Sequence, residues 1–231
     1  RYSGCQNKEK FYYVSNSPEN ISTVYEVSIN EKINRECFSR KGYLKLFESS
    51  GNTILYAFTD NTRETSLGKK IWTGYKFFSF NEELKRHSQN STKEFSEVYA
   101  FSKKNIEIMA VVKYNNNYSL IKINKYGVVE NTYDFGVKPI VCQISDDWKY
   151  VVFIYQDTST FLTKLKMLNI TDFKLLDIPE STSVSAVSGF FDKNSNLNFV
   201  VSSRKRKCDI LYQYSTKNNQ STEIITSEIF D

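Results

Sequence analysis

The stretch PIVCQISDDWKYVVFIYQDTSTFLTKLKMLNITDFKLLDI, Pro139 to Ile178, decides the fold. It reads as four short strands in a row: Ile140–Ile144, Tyr150–Gln156, Thr163–Leu168 and Phe173–Ile178. Turn-rich segments at 145–149, 157–161 and 169–172 separate them. The second strand is an unbroken apolar run, Val151 to Tyr155, as expected of a strand covered on both faces. The third alternates, with Leu162, Leu165 and Met167 interrupted by Thr163, Lys164 and Lys166.

The same unit recurs along the chain. Its second strand starts near Phe11, Ile54, Ile106, Tyr150 and Leu197, at spacings of about 43, 52, 44 and 47 residues, the range of propeller blades. The blades then span 1–40, 41–94, 95–137, 138–180 and 181–231, as one domain. GCQNKEKFYYVS aligns with VCQISDDWKYVVF, which places Cys5 and Gln6 over Cys142 and Gln143 and makes residues 1–6 an innermost strand. In the second blade the strands are Tyr43–Phe47, Ile54–Thr59, Trp72–Phe80 and a weak one near Glu83–Arg86, with Asp60–Lys70 as a long insertion.

A two-layer sandwich also has short, regularly spaced strands, but it has no reason to restate one four-strand unit, whereas a propeller is built from such units. The expected fold is therefore an all-β propeller of about five four-stranded blades. Nothing is left over in the fifth blade to close onto the first. Closure then falls to packing alone, to additional chain, or to a six- or seven-bladed ring of which this is part. No segment has helical periodicity.

SDDWKYVVF resembles the S-x-D-G-K-x-apolar signature at the first hairpin of WD40-like and YVTN-like propeller repeats, and DKNSNLNFVV is a weaker copy. No Gly-His or Trp-Asp pair closes a blade, and the S-x-D-x-G-x-T-W box of sialidase-type propellers is absent. The resemblance implies the fold and carries over no functional residue.

Composition agrees. Tyr and Phe supply 33 of 231 residues, which favours strands, and only eight Gly and three Pro leave the turns to Asn, Asp, Ser and Lys. The net charge of +5 is modest and mostly dispersed, where a nucleic-acid interface would gather it into a stripe. No apolar run reaches membrane-span length and the N-terminus carries no signal-peptide pattern; a chain that begins at Arg1 reads as a processed or excised piece.

Candidate chemistry is sparse. Cys5, Cys37, Cys142 and Cys208 fit no metal spacing and are too few for a disulfide scaffold; buried free thiols are the first reading, one or two disulfides the second. His87, the only histidine, sits among Lys85, Arg86 and Ser88 and reads as solvated. A glycosidase would need two carboxylates at fixed separation. Expected on inner strands are Glu48, Glu94 and Glu97, and in the following turns Asp146, Asp147 and Asp192, where Asp caps a hairpin. The sharpest local feature is basic: Arg204, Lys205, Arg206 and Lys207 between the second and third strands of the fifth blade, with Lys69 and Lys70 in the matching loop of the second. Such loops emerge on one face of a propeller, which would attract an acidic partner or anionic glycan. Five sequons, at Asn20, Asn90, Asn117, Asn169 and Asn219, fall in predicted turns or loops.

These residues lead to a non-enzymatic binding platform, a scaffold for a protein partner or a glycan, with no cofactor, no metal and no nucleic acid. A secreted or cell-surface glycoprotein is favoured, with a cytoplasmic location as the alternative. The enzymatic alternative is a five-bladed glycosidase or nucleotidase acting at a central channel.

Overall fold

The computed structural model describes residues 4–7, 10–28, 30–50, 52–178, 185–192, 194–203 and 206–228. Every regular element among them is a strand, so no helix is long and apolar enough to cross a membrane.

Five four-stranded antiparallel sheets follow one another. Sheet 1 holds β1 (Gly4–Asn7), β2 (Lys10–Asn16), β3 (Ile21–Ser28) and β4 (Ile33–Lys41) in sequence order. Sheet 2 begins with β5 (Tyr43–Ser50) and β6 (Thr53–Thr59). The chain then makes a separate two-stranded ribbon, β7 (Asn61–Glu64) and β8 (Lys70–Thr73), before β9 (Lys76–Asn81) and β10 (Arg86–Gln89) complete the sheet. Sheet 3 is β11 (Glu97–Lys104), β12 (Glu107–Tyr114), β13 (Asn117–Ile123) and β14 (Val129–Asp134). Sheet 4 is β15 (Pro139–Ile144), β16 (Tyr150–Gln156), β17 (Thr163–Asn169) and β18 (Lys174–Asp177). Sheet 5 is β19 (Ser185–Phe191), β20 (Leu197–Ser203), β21 (Cys208–Ser215) and β22 (Gln220–Glu228).

Among the described residues the four-strand repeat read from the sequence is present, with two corrections in sheet 2. The single strand expected over Trp72–Phe80 is broken at Gly74, which takes φ +73°; Trp72 belongs to the ribbon and Phe77 to the sheet. The insertion is a hairpin, not an open loop. Its weak last strand also lies later than expected, at Arg86–Gln89.

The chain divides into two compact units, Arg1–Thr132 and Tyr133–Asp231. In the first, one core cluster (Tyr12, Val24, Phe38, Leu44, Tyr56, Phe80) joins sheets 1 and 2, and another (Phe77, Phe95, Phe101, Ile108, Val112, Ile121) joins sheets 2 and 3. In the second unit, Val152, Leu165, Met167, Phe199, Val201 and Ile210 join sheets 4 and 5. Strands β6, β12 and β16 are buried on both faces, as their unbroken apolar runs require. β2 and β20 instead alternate between buried and more open positions.

Sheets 2 and 3 pack with their first strands running the same way. Tyr43 lies against Tyr75, which pairs with Phe95; Lys45 Nζ donates to the Val98 carbonyl at 3.2 Å; and Phe47 meets Phe101 edge-on at 5.9 Å. Since the sheets are meanders, the turns after their first and third strands lie at one end of this pair. The turns after their second strands, the ribbon among them, lie at the other.

A device that the sequence did not announce recurs in four sheets. The first strand carries one extra residue against the second: Phe47, Tyr99, Ile140 and Val187. A bulge sharpens the local right-handed twist, so these sheets start from equally coiled strands.

Turn chemistry follows composition. Twelve non-glycine residues have positive φ, five of them Asn and three Lys. In the signature turn, Ser145 Oγ donates to Asp147 Oδ1 at 2.7 Å and accepts from Tyr150 N at 3.0 Å, while Trp148 takes φ 61°. The weaker copy puts Ser195 at φ 60°, with Asp192 Oδ1 accepting from Asn194 N and Asn196 N.

Candidate functional site

Among the described residues, the ribbon β7–β8 is the one regular element outside the four-strand repeat. Its base is anchored: Trp72 stacks on Tyr43 at 5.8 Å, Thr59 Oγ1 donates to the Thr73 carbonyl and accepts from Asn61 N. Its strands pair from Asn61↔Thr73 to Glu64↔Lys70. Its tip is closed by Thr65 N to Lys69 O and Gly68 N to Thr65 O, both 2.9 Å, and by Lys69 N to Thr65 Oγ1 at 3.1 Å. Gly68, at φ +72°, supplies the left-handed residue that this tip needs. The result is a fixed platform that presents Leu67, 92% exposed, between Arg63 and the exposed pair Lys69 and Lys70. The ribbon's strand Asn61–Glu64 is exposed throughout, so it contributes nothing to the core.

Of the other basic residues singled out, Arg204 and Lys205 lie outside the described residues. Arg206 and Lys207 form an exposed turn of the second unit. Arg206 donates to both carboxylate oxygens of Glu223, at 2.9 and 3.1 Å. That bond and the further hydrogen bond from Thr226 hold Glu223 well below the usual carboxylate range, at about 2.

A buried polar joint between sheets 1 and 2 escaped the sequence. Glu26 on β3 and Glu82 in the turn after β9 are both buried. Tyr12 donates to Glu82 Oε2 at 2.9 Å, Arg35 to Glu26 Oε2 at 3.0 Å, and Lys10 Nζ lies 3.4 and 3.6 Å from the two carboxylates. Cys37 Sγ is 3.8 Å from Glu82 Oε1. Burial alone would raise the Glu26 pKa, but the hydrogen bond from Arg35 and the charges of Lys10 and Arg35 outweigh it and hold it below the usual value. Burial, then the charges of Glu82 and Glu26, push the Cys37 thiol up to about 12. Glu26, Cys37 and Glu82 do offer oxygen and sulfur donors within 4.8 Å of one another. Their charge is nonetheless already balanced by Lys10 and Arg35, and the thiol is held protonated. The arrangement is an internally compensated ion network that locks two sheets together.

His87 lies on a strand and not in a turn, and it is exposed there, as its charged neighbours suggested. It lies on β10, where its Nδ1 is 2.7 Å from Tyr56 Oη, and its ring packs against Phe38 and Phe80 at 4.8 Å each. Arg40 stacks over Phe58 at 3.9 Å and donates to the same tyrosine at 3.1 Å. Burial, and then Arg40, lower the His87 pKa, so the ring is neutral and structural.

The expected carboxylates each have a local setting. Glu94 lies before β11, paired with Lys76 at 3.0 Å, and Glu97 accepts from Tyr99 at 2.5 Å. Glu48 is on β5, Asp146 stays exposed, and Asp147 and Asp192 are spent on their own turns. Cys37, Cys142 and Cys208 are free thiols; the Cys5 side chain lies outside the described residues. Of the sequons, Asn20, Asn90 and Asn219 lie between strands, whereas Asn117 opens β13 and Asn169 closes β17. Asn90 is committed: it accepts from Lys103 Nζ at 2.8 Å and its amide nitrogen is buried.

No family model matches the chain, and no curated protein matches it. Solved structures do. A TolB from Acinetobacter baumannii superposes with TM-score 0.68 at 12% identity, over 99% of this chain and 55% of its own. An oligogalacturonate lyase from Vibrio parahaemolyticus gives 0.66 at 11%, over 97% and 65%. The β-propeller domain of the trilobed protease from Pyrococcus furiosus, described as having an open velcro topology, gives 0.60 at 11%, over 94% and 65%. The chain thus spans between about half and two thirds of these proteins. A nidogen/laminin complex and peptidases are similar too, so the fold serves both binding and catalysis. Sheet order, repeat and likeness agree: the chain has the β-propeller fold.

Proposed function

We propose that this protein is a non-enzymatic binding platform whose contact element is the β7–β8 ribbon, and that its partner is a protein with an acidic surface. The observation that carries the reading is the ribbon itself: a rigid insertion outside the repeat, with Leu67 almost wholly exposed and Arg63, Lys69 and Lys70 around it. A single exposed leucine is ordinary. A leucine fixed at the tip of an ordered, cation-flanked ribbon is preorganised, so little conformational entropy remains to be lost on binding. The basic run Arg204, Lys205, Arg206 and Lys207 is proposed as a second, separate contact on the strength of its charge alone. The nidogen/laminin complex is a precedent for a similar structure in a protein assembly.

The carboxylates that the fold brings together give the glycosidase alternative no support. Glu26 and Glu82 are buried and engaged by Tyr12, Lys10 and Arg35, whereas glycoside hydrolysis needs carboxylates that flank a bound sugar. The test is a photo-crosslinking amino acid at position 67 in cell extract. A discrete adduct that disappears in Lys69→Glu/Lys70→Glu supports the reading; no adduct, or one indifferent to charge reversal, removes it.

A further inference from the structure

The opposite end of sheets 2 and 3 carries a second, separate pattern. Three turns there present exposed apolar side chains: Leu84 (71%), Ile106 (62%), and Tyr126 (77%) with Val128 (53%). Cations flank each tip in sequence. Lys85 and Arg86 follow Leu84, Lys103 and Lys104 precede Ile106, and Lys125 precedes Tyr126. The nearby carboxylates are engaged: Glu83 with Asn52, Glu107 with Lys122 at 3.0 Å, and Glu130 with Asn124 at 3.1 Å.

The tips are held in place. Leu84 N donates to Asn81 Oδ1 at 2.8 Å, and Tyr126 N and Val128 N donate to Asn124 Oδ1 at 2.9 and 3.1 Å. Lys104 pairs with Glu107, which leaves Asn105 and Ile106 as a two-residue turn.

We infer that this end of the first unit docks on an anionic lipid surface. The apolar points stand on three separate turns at one end of two packed sheets, each beside a cation, and not on one protruding element. They suit a fluid interface: leucine and isoleucine enter the acyl boundary, tyrosine sits at headgroup level, and lysines meet phosphates. Attraction of this kind falls off within a Debye length, so it should be salt-sensitive.

The test is flotation of the whole chain with vesicles of phosphatidylcholine, alone or mixed with phosphatidylserine. The inference expects flotation with the mixed vesicles only. Binding should weaken about fivefold for each charge removed in Lys85→Gln and Lys125→Gln, and be lost in Leu84→Ser/Ile106→Ser/Tyr126→Ser. Tryptophan emission of Ile106→Trp should shift to the blue on adding mixed vesicles and stay unchanged with neutral ones. No flotation, equal flotation with both vesicles, or retention by the serine variant overturns it; adduct formation through Leu67 would be untouched, because the ribbon lies at the other end.

Discussion

Glu26 and Glu82, both buried where sheets 1 and 2 meet, share one cation, the Lys10 ammonium, at 3.4 and 3.6 Å. The pair fastens one repeat to the next through groups that neither repeat could bury alone. Removing one partner of such a network leaves the others buried and unmatched, which is costly.

This joint makes stability depend on acid. The Glu26 pKa is lowered by folding, so its contribution is present above the unfolded value of about 4.3 and is lost as pH falls from there through the folded value. Glu26→Gln is expected to cost about 2–3 kcal/mol near neutrality, less than a fully buried pair because Lys10 and Arg35 are partly exposed. Urea titrations at falling pH should show that gap narrowing below about pH 4.5; a gap independent of pH contradicts the assignment.

Gly42 joins β4 to β5 at φ +137°, with its N–H donating to Asn20 O at 2.6 Å and its carbonyl accepting from buried Ser22 Oγ at 2.7 Å. A Cβ there would overlap the Thr59 carbonyl oxygen and the Phe58 ring. Gly42→Ala should destabilise by about 2–4 kcal/mol, from strain plus the clash. A change in denaturation midpoint worth under about 0.5 kcal/mol, the size of an ordinary surface effect, would show that the connection is not tight.

Phe161 is the converse case. It is 76% exposed and held at φ 57°, a conformation that costs an L side chain about 1–2 kcal/mol. Phe161→Gly is expected to raise stability by about 0.5–1 kcal/mol once the added freedom of the unfolded chain is subtracted. A lowered melting temperature would mean that the ring makes contacts of consequence.

Thiol titration tests the cysteines. Burial raises the pKa of Cys142 as it does that of Cys37, so both should react slowly with a disulfide reagent at neutral pH in the native protein. Unfolded without reductant, the chain should show at least three thiols, those of Cys37, Cys142 and Cys208. One or none would place disulfides where the structure has free groups.

Periodicity made the repeat legible because burial on both faces demands unbroken apolar runs such as Ile54–Phe58 and Val151–Ile154. It could not locate the break at Gly74, since Trp72 and Phe77 are equally aromatic and only the glycine's left-handed backbone separates them. Nor could it find Glu26 beside Glu82. Such a pairing is fixed by how two sheets pack, and neither glutamate carries a local mark. His87 was legible only in part: its charged neighbours marked it as exposed, but nothing in them announced its contacts with Tyr56, Phe38 and Phe80. Lys69 and Lys70 were visible as charges, whereas the rigidity that makes them a candidate surface comes from the hydrogen bonds of the ribbon tip.

The ribbon is the centre of the account. Replacing Glu64–Lys70 by Asn-Gly between the register partners Arg63 and Ile71 gives a two-residue hairpin and keeps Trp72 on Tyr43. The direct measurement is quantitative affinity capture by this shortened chain beside the parent, with urea midpoints matched to within about 0.5 kcal/mol. The account predicts that a defined set of partners held by the parent is lost by the shortened chain. An unchanged set, recovered in unchanged yield, contradicts it.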